Sequence, residues 1–87
     1  VYSMFPANEV ERLIREGLAC DYLKIEGDDG THFSGIVVSA VFEGKPRVRQ
    51  HQAVYATLGK LMGNEIHALQ LSTYTPAQWA AFQKELG

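Results

Sequence analysis

The chain has a single cysteine, Cys20, in 87 residues. No intrachain disulfide can form. A metal site built only from this chain's thiolates is also excluded, because Cys₄ and Cys₂His₂ sites need more sulfur. A reducing compartment is therefore expected. No apolar run approaches the ~20 residues that span a bilayer, so no membrane association is expected. The stretch from Val1 to Pro6 lacks a basic region leading into an apolar core, so no signal peptide is expected and the cytosol is the expected compartment. Residues 1–3 precede Met4 and read either as an upstream extension or as an added remnant. Positive charge is not in excess either. Eight Lys and Arg stand against ten Asp and Glu, for a net charge of −2. A protein that lives on phosphate contacts is usually basic overall, which makes nucleic acid a weak first choice of partner. Internal repeats, linkers and low-complexity segments are missing too. What remains is one domain over 1–87, with 1–7 expected to be flexible.

The composition that is present is globular. Hydrophobic residues make up 46% and charged residues 21%, with one Trp, four Tyr and four Phe. That excludes a disordered tail, a collagen-like chain and a coiled coil. A chain this short buries roughly 60–65% of its unfolded surface, enough for one modest core but not for a cleft between domains.

Asn8 can cap a helix, with Glu9 and Glu11 at its positive end. Val10, Leu13, Ile14 and Leu18 then recur at helical spacing, which predicts a helix over about 8–19, with Gly17 weakening its last turn. Cys20 to Glu26 alternates, with Leu23 and Ile25 on one face, and reads as a half-buried strand. Gly27-Asp28-Asp29-Gly30 is turn chemistry, and Phe33 to Phe42 reads as a second strand, so the two should form an antiparallel hairpin. After Glu43-Gly44-Lys45-Pro46 the period returns to 3.6 through His51, Val54, Tyr55, Leu58, Leu61 and Met62. A short helical turn followed by a longer helix ending near Met62 is expected, stopped by Gly63-Asn64. Ile66 to Tyr74 alternates again, with Leu69 and Leu71 facing one way and Gln70 and Ser72 the other. Thr75-Pro76-Ala77-Gln78 has the cap, the first-turn proline and the capping-box Gln of a last helix, which presents Trp79 and Phe82. The order is α-β-β-α-α-β-α, an α+β layer with a three-stranded sheet.

This order has a consequence for the histidines. His32 stands at the entrance of the second strand and His67 at that of the third. Two helices connect those strands, and such a crossover joins parallel neighbours, whose entrances share one sheet edge. Strands lie ~4.8 Å apart, so the two imidazoles are expected close in space, in chelating geometry for a metal. On pattern alone a strand histidine beside Leu69 and Leu71 is more often a half-buried hydrogen-bonded residue, and His32 beside Gly30-Thr31 is more often a solvated turn residue. Two nitrogens also leave a tetrahedral site incomplete. His51 lies among Lys45, Arg47 and Arg49, a small basic patch able to meet phosphate or an acidic partner; a solvated helix end is the plainer account. Cys20 reads as a small half-buried side chain, with a role as ligand or redox thiol left open. Asp28 and Asp29 read as turn carboxylates rather than an acid/base pair, and no nucleophile–base–orienter set is apparent.

Particular stretches resemble a known family. Val41-Phe42-Glu43-Gly44-Lys45-Pro46-Arg47-Val48-Arg49-Gln50-His51, followed by Val54-Tyr55 and Leu58, is similar to the central motif of the BolA family. Ile66-His67-Ala68-Leu69, then Thr73-Tyr74-Thr75-Pro76 and Trp79, is similar to its closing motif. Gly27 to Phe33, GDDGTHF, resembles the hairpin loop of the small bacterial branch that carries a histidine there. The likeness runs from about residue 8 to 82. It implies a class II KH-like fold with a three-stranded mixed sheet, in the element order already read. It implies a non-enzymatic role and a partner, a monothiol glutaredoxin of the CGFS type, with which a [2Fe–2S] cluster is shared. The glutaredoxin side brings a cysteine and a bound glutathione; this side brings His67 and His32. No cofactor is expected in the isolated chain, which is expected to be a monomer or weak homodimer. Imidazole in place of thiolate raises a cluster's reduction potential and adds protonatable ligands, so sensitivity to pH near neutrality is expected. The family's other attributed role is transcriptional regulation, for which Lys45, Arg47, Arg49 and His51 are the DNA-binding candidates. A KH domain binds nucleic acid with a GxxG loop between helices. The only GxxG here, Gly27 to Gly30, lies in a β-hairpin and carries two negative charges. An interaction module that never touches metal is a third reading.

Overall fold

The computed structural model describes residues 6–27, 32–64 and 66–86. Helix α1 spans Ala7–Gly17. It starts at Pro6, whose carbonyl accepts from the amides of Glu9 and Val10, so Asn8 lies inside the first turn and does not cap it. Proline's restricted φ sets the extended entry that a capping side chain would otherwise select. Of the residues expected to precede the ordered domain, Ala7 opens α1; residues 1–5 lie outside the described set, as do Asp28, Asp29, Gly30 and Thr31 of the hairpin turn.

Strand β1, Tyr22–Gly27, pairs antiparallel with β2, His32–Val38, and β2 pairs parallel with β3, Ala68–Tyr74. The sheet order is β1-β2-β3, so β2 is central. The second strand ends sooner than its Val- and Phe-rich sequence suggests. The Ser39 hydroxyl donates to the Ala19 carbonyl at 2.6 Å and accepts from the Val41 amide at 3.2 Å. A serine that bonds neighbouring backbone offers the chain an alternative to the ladder. Here it starts a 3₁₀ turn, Ala40–Phe42, that drops the Phe42 ring into the core, fully buried. This turn is the short helical piece expected between strands two and three, placed before Pro46 rather than after it. Helix α2, Arg47–Leu58, follows Pro46 directly and tightens into a second 3₁₀ turn at Gly59–Leu61. Ile66 makes a lone bridge with Met62, so β3 begins at Ala68. Helix α3, Pro76–Leu86, has the expected capping box: the Gln78 amide donates to Thr75 Oγ1 at 3.1 Å, and the Thr75 amide to Gln78 Oε1 at 2.9 Å. The α-β-β-α-α-β-α order holds, with its first middle helix reduced to one turn.

Alternation along the strands divides the sheet. Leu23, Ile25, Phe33, Val37 and Leu69 face α1 and α2, where Val10, Ile14, Val54 and Leu58 complete one core. On the other face, the row Tyr22–Val38–Tyr74 lies at the end covered by α3. There Trp79 stacks on Tyr22 at 5.0 Å, and Tyr74 stacks on Phe82 at 5.6 Å. Gly17 sits where α1 meets α2: a Cβ there would lie 2.9 Å from Thr57 Cγ2. The glycine that weakens the helix by propensity is what lets the two helices approach. No helix among the described residues is long and apolar enough to cross a membrane.

Gln50 ties the middle loop to the sheet. It is buried; its amide nitrogen donates to the carbonyls of Lys45 at 2.9 Å and Phe42 at 3.3 Å, while its oxygen accepts from Thr73 Oγ1 at 2.6 Å. Leucine at this position fills similar space but leaves the Thr73 hydroxyl and the Lys45 carbonyl without their Gln50 partner, while the Phe42 carbonyl keeps the Lys45 amide. Gln50→Leu should cost about 1–3 kcal/mol, read as a lower urea midpoint at unchanged slope.

Candidate functional site

His32 is the first residue of β2, and His67 directly precedes β3. Their placement follows from the parallel pairing. His32 is in register with Ala68, so the residue before Ala68 stands beside it at the same rim of the sheet. The rings meet edge to face, with centroids 6.0 Å apart and planes at 88°. Both residues are exposed. Two imidazoles thus converge from separate parts of the chain, as the strand order requires. A shallow depression beside His32 is lined by Glu26, Ser34, Ala68 and Gln70, which gives the rim a concave flank. Among the described residues no group of three or more His, Cys, Asp or Glu side chains could hold a metal ion. Among the described residues the rim thus offers two imidazoles, fewer than the four donors of a closed tetrahedral site.

Cys20 is not part of this rim. It precedes β1, whose first residue pairs with Val38 at the exit of β2. Six residues at ~3.3 Å each place it about 20 Å from the histidines, which excludes it as an alternative ligand there. Its thiol donates to the Leu18 carbonyl at 3.3 Å, and burial raises its pKa, with Arg15 opposing and Asp21 adding to the shift.

Lys45, Arg47 and Arg49 are all exposed. Arg47 and Arg49 are two positions apart on α2, about 200° around the helix, so they point to different sides. Arg47 and His51, four apart, share the side of α2 that looks toward β3. His51 packs edge to face on Tyr55, with centroids 6.4 Å apart, and its Nε2 is shielded from solvent with no hydrogen-bond partner among the described residues. Burial, and then the charge of Arg47, lower its pKa from the ordinary histidine value. The unfolded chain therefore binds this proton more readily than the folded one. Stability linked to His51 is present above pH ~6.5 and is lost as pH falls through the lowered value. His51→Gln should flatten the fall in thermal midpoint between pH 7 and pH 5.5; a parallel curve would show that the ring does not titrate in this way.

Two polar anchors had no sequence signal as such. Tyr55, part of the apolar stripe by pattern, donates its hydroxyl to the Leu69 carbonyl at 3.0 Å. Glu11, read as helix-start charge, accepts from the Ile25 amide at 2.8 Å. Both depend on which strand edge lies opposite the helix, which periodicity does not encode.

The strand order, the packing of α1 and α2 on one face and the paired imidazoles at one rim define a small KH-like α+β module. Comparison with known proteins narrows this. A family model described as BolA-like protein matches residues 14–78. The acid stress protein IbaG of Escherichia coli is 37% identical over 78 residues, covering 88% of this chain and 92% of that protein. The DNA-binding transcriptional regulator BolA of Haemophilus influenzae is 31% identical over 81 residues, covering 83% and 79%. The structure of a BolA homologue from Coxiella burnetii superposes with a TM-score of 0.77 at 36% identity, covering 88% of this chain and 99% of that one. The chain belongs to the BolA family.

Proposed function

We propose that this chain is a non-enzymatic partner of a monothiol CGFS-type glutaredoxin, holding one side of a [2Fe–2S] cluster through His67 and His32 for assembly, transfer or iron sensing. The observation that carries this reading is the pair of exposed imidazoles 6.0 Å apart at one strand rim. The donor set is suited to the group: imidazole is a cluster ligand where a raised potential is wanted, and the absent third and fourth donors fit a cysteine and glutathione supplied from outside. When bound, the cluster supplies a one-electron couple and a transferable unit of iron and sulfide. The chain's own residues present two imidazoles, and the concave flank at Glu26 and Gln70 offers a surface to the partner. Because protonated imidazole is no ligand, the shared site should loosen on acidification. The name of the Escherichia coli relative, an acid stress protein, agrees with that expectation. Co-expression with such a glutaredoxin, followed by visible absorption and circular dichroism, tests the reading. A coloured heterodimer with a spectrum distinct from that of the glutaredoxin alone is the expected result; a colourless or purely glutaredoxin spectrum would overturn it.

The second reading, a DNA-binding regulator, takes its support from the printed name of the Haemophilus relative and from the exposed Lys45, Arg47 and Arg49. It requires duplex binding whose logarithm falls with log salt at roughly −0.9 per phosphate contacted. Absence of binding at low salt would remove it.

A further inference from the structure

The two outer edges of the sheet are treated differently. On β1 the edge carries Lys24 and Glu26 in its strand, and the Glu11 carboxylate occupies the outward amide of Ile25 at 2.8 Å. Charge and a covering side chain are the usual ways a protein blunts an edge. The β3 edge has neither charge nor proline over its seven residues, ALQLSTY. Its main-chain groups alternate in direction. The Tyr74 carbonyl accepts from the Ser39 amide on the β2 side, whereas the Leu69 carbonyl accepts the Tyr55 hydroxyl on the outer side. By that alternation the N–H and C=O groups of Leu71 and Thr73 point outward. Tyr55 covers the beginning of the edge, and no strand pairs with the rest among the described residues.

A small depression at this edge is lined by Arg47, Leu71, Thr73 and Tyr74. His51 and Tyr55, with Leu69 and Leu71, line one side of a wider depression that extends across the open sheet face to Lys24 and Glu26 on β1. Arg47 is exposed, and the ion pairs among the described residues are confined to Arg12 with Glu9 and Glu16. The shielded Nε2 of His51, beside the wider depression, has no hydrogen-bond partner among the described residues. We propose that the outer edge of β3 receives an extended acidic segment of a partner protein as a fourth strand. Main-chain bonds to Leu71 and Thr73 would hold the segment, and Arg47 would meet its carboxylates. A second copy of this chain is a poorer occupant, because its own β3 brings no carboxylate to Arg47. The proposal is independent of the histidine rim and requires no metal.

The test uses a fluorescein-labelled, end-blocked heptapeptide of alternating Val and Glu, its Lys-for-Glu counterpart, and two N-methylated forms that block alternate amides. Binding is read by fluorescence anisotropy and by amide chemical shifts of the isotope-labelled chain. The Glu peptide should bind about tenfold tighter than the Lys peptide, and Arg47→Glu, at an exposed position, should reverse that order. Shifts should centre on the amides of Leu71 and Thr73, and only one of the two N-methylated forms should bind. Absence of saturable binding at millimolar peptide, equal binding of both N-methylated forms, or shifts confined to other elements would overturn the proposal. So would displacement of the peptide by dimerisation of the chain at high concentration, or preference of this edge for a single-stranded oligonucleotide over the peptide.

Discussion

His67→Ala is expected to abolish the heterodimer's own cluster spectrum while leaving the chain folded. Both halves of that expectation follow from geometry. His67 is exposed and precedes β3 rather than lying in its ladder, so its loss should change stability by no more than about 0.5 kcal/mol. Among the described residues, however, the rim offers two imidazoles and no third ligand to replace one. Removing one of them would therefore remove half of what the chain is proposed to contribute. His32→Ala should act in the same direction, and less completely if the loop that begins before it brings another donor. The measurement is visible circular dichroism of the co-purified complex, with thermal unfolding of each variant alone as the control for folding. A parent-like spectrum in both variants would show that the imidazoles are not ligands. An intact but colourless heterodimer would confirm that complex formation and cluster holding are separable.

The largest stability effect is expected at Phe42. Its ring is fully buried and enters the core from a single 3₁₀ turn between β2 and α2. Phe42→Ala removes most of that apolar surface and leaves a cavity that the turn is poorly able to close, because Ser39 and Gln50 hold its two ends by hydrogen bonds. The cost should be about 3–5 kcal/mol. A domain of this size has a total stability on the order of 4–13 kcal/mol, so the variant should be largely unfolded at moderate urea. Phe42→Leu should recover more than half of the loss. A change below about 1 kcal/mol for the alanine variant would mean that the turn collapses onto the vacated space.

Much of the architecture was legible in the residues because periodicity reports burial directly. Leu23 and Ile25, or Leu69 and Leu71, alternate because one sheet face packs on α1 and α2 while the other is covered only at the end under α3. Thr75 to Gln78 reads as a helix start because its hydrogen bonds are local. The convergence of His32 and His67 was legible as well, since a crossover between strands forces parallel neighbours to share a rim. Local sequence did not reveal where the second strand ends. Val41 and Phe42 look like strand residues, yet the Ser39 hydroxyl, by bonding Ala19 from a distant part of the chain, turns the backbone away. Nor did spacing show that the side of α2 shared by Arg47 and His51 is the one that faces β3.

The amino-acid order thus settled the elements, their succession and the rim at which two imidazoles meet, all consequences of short-range patterning and chain connectivity. Only the folded molecule decided that Cys20 lies at the far end of the sheet, that one edge is covered by Glu11 and that the other, from Leu71 onward, pairs with no strand among the described residues. Those outcomes depend on which side chains from remote segments reach a given strand, and such long-range neighbours are fixed by packing rather than by any repeat along the chain.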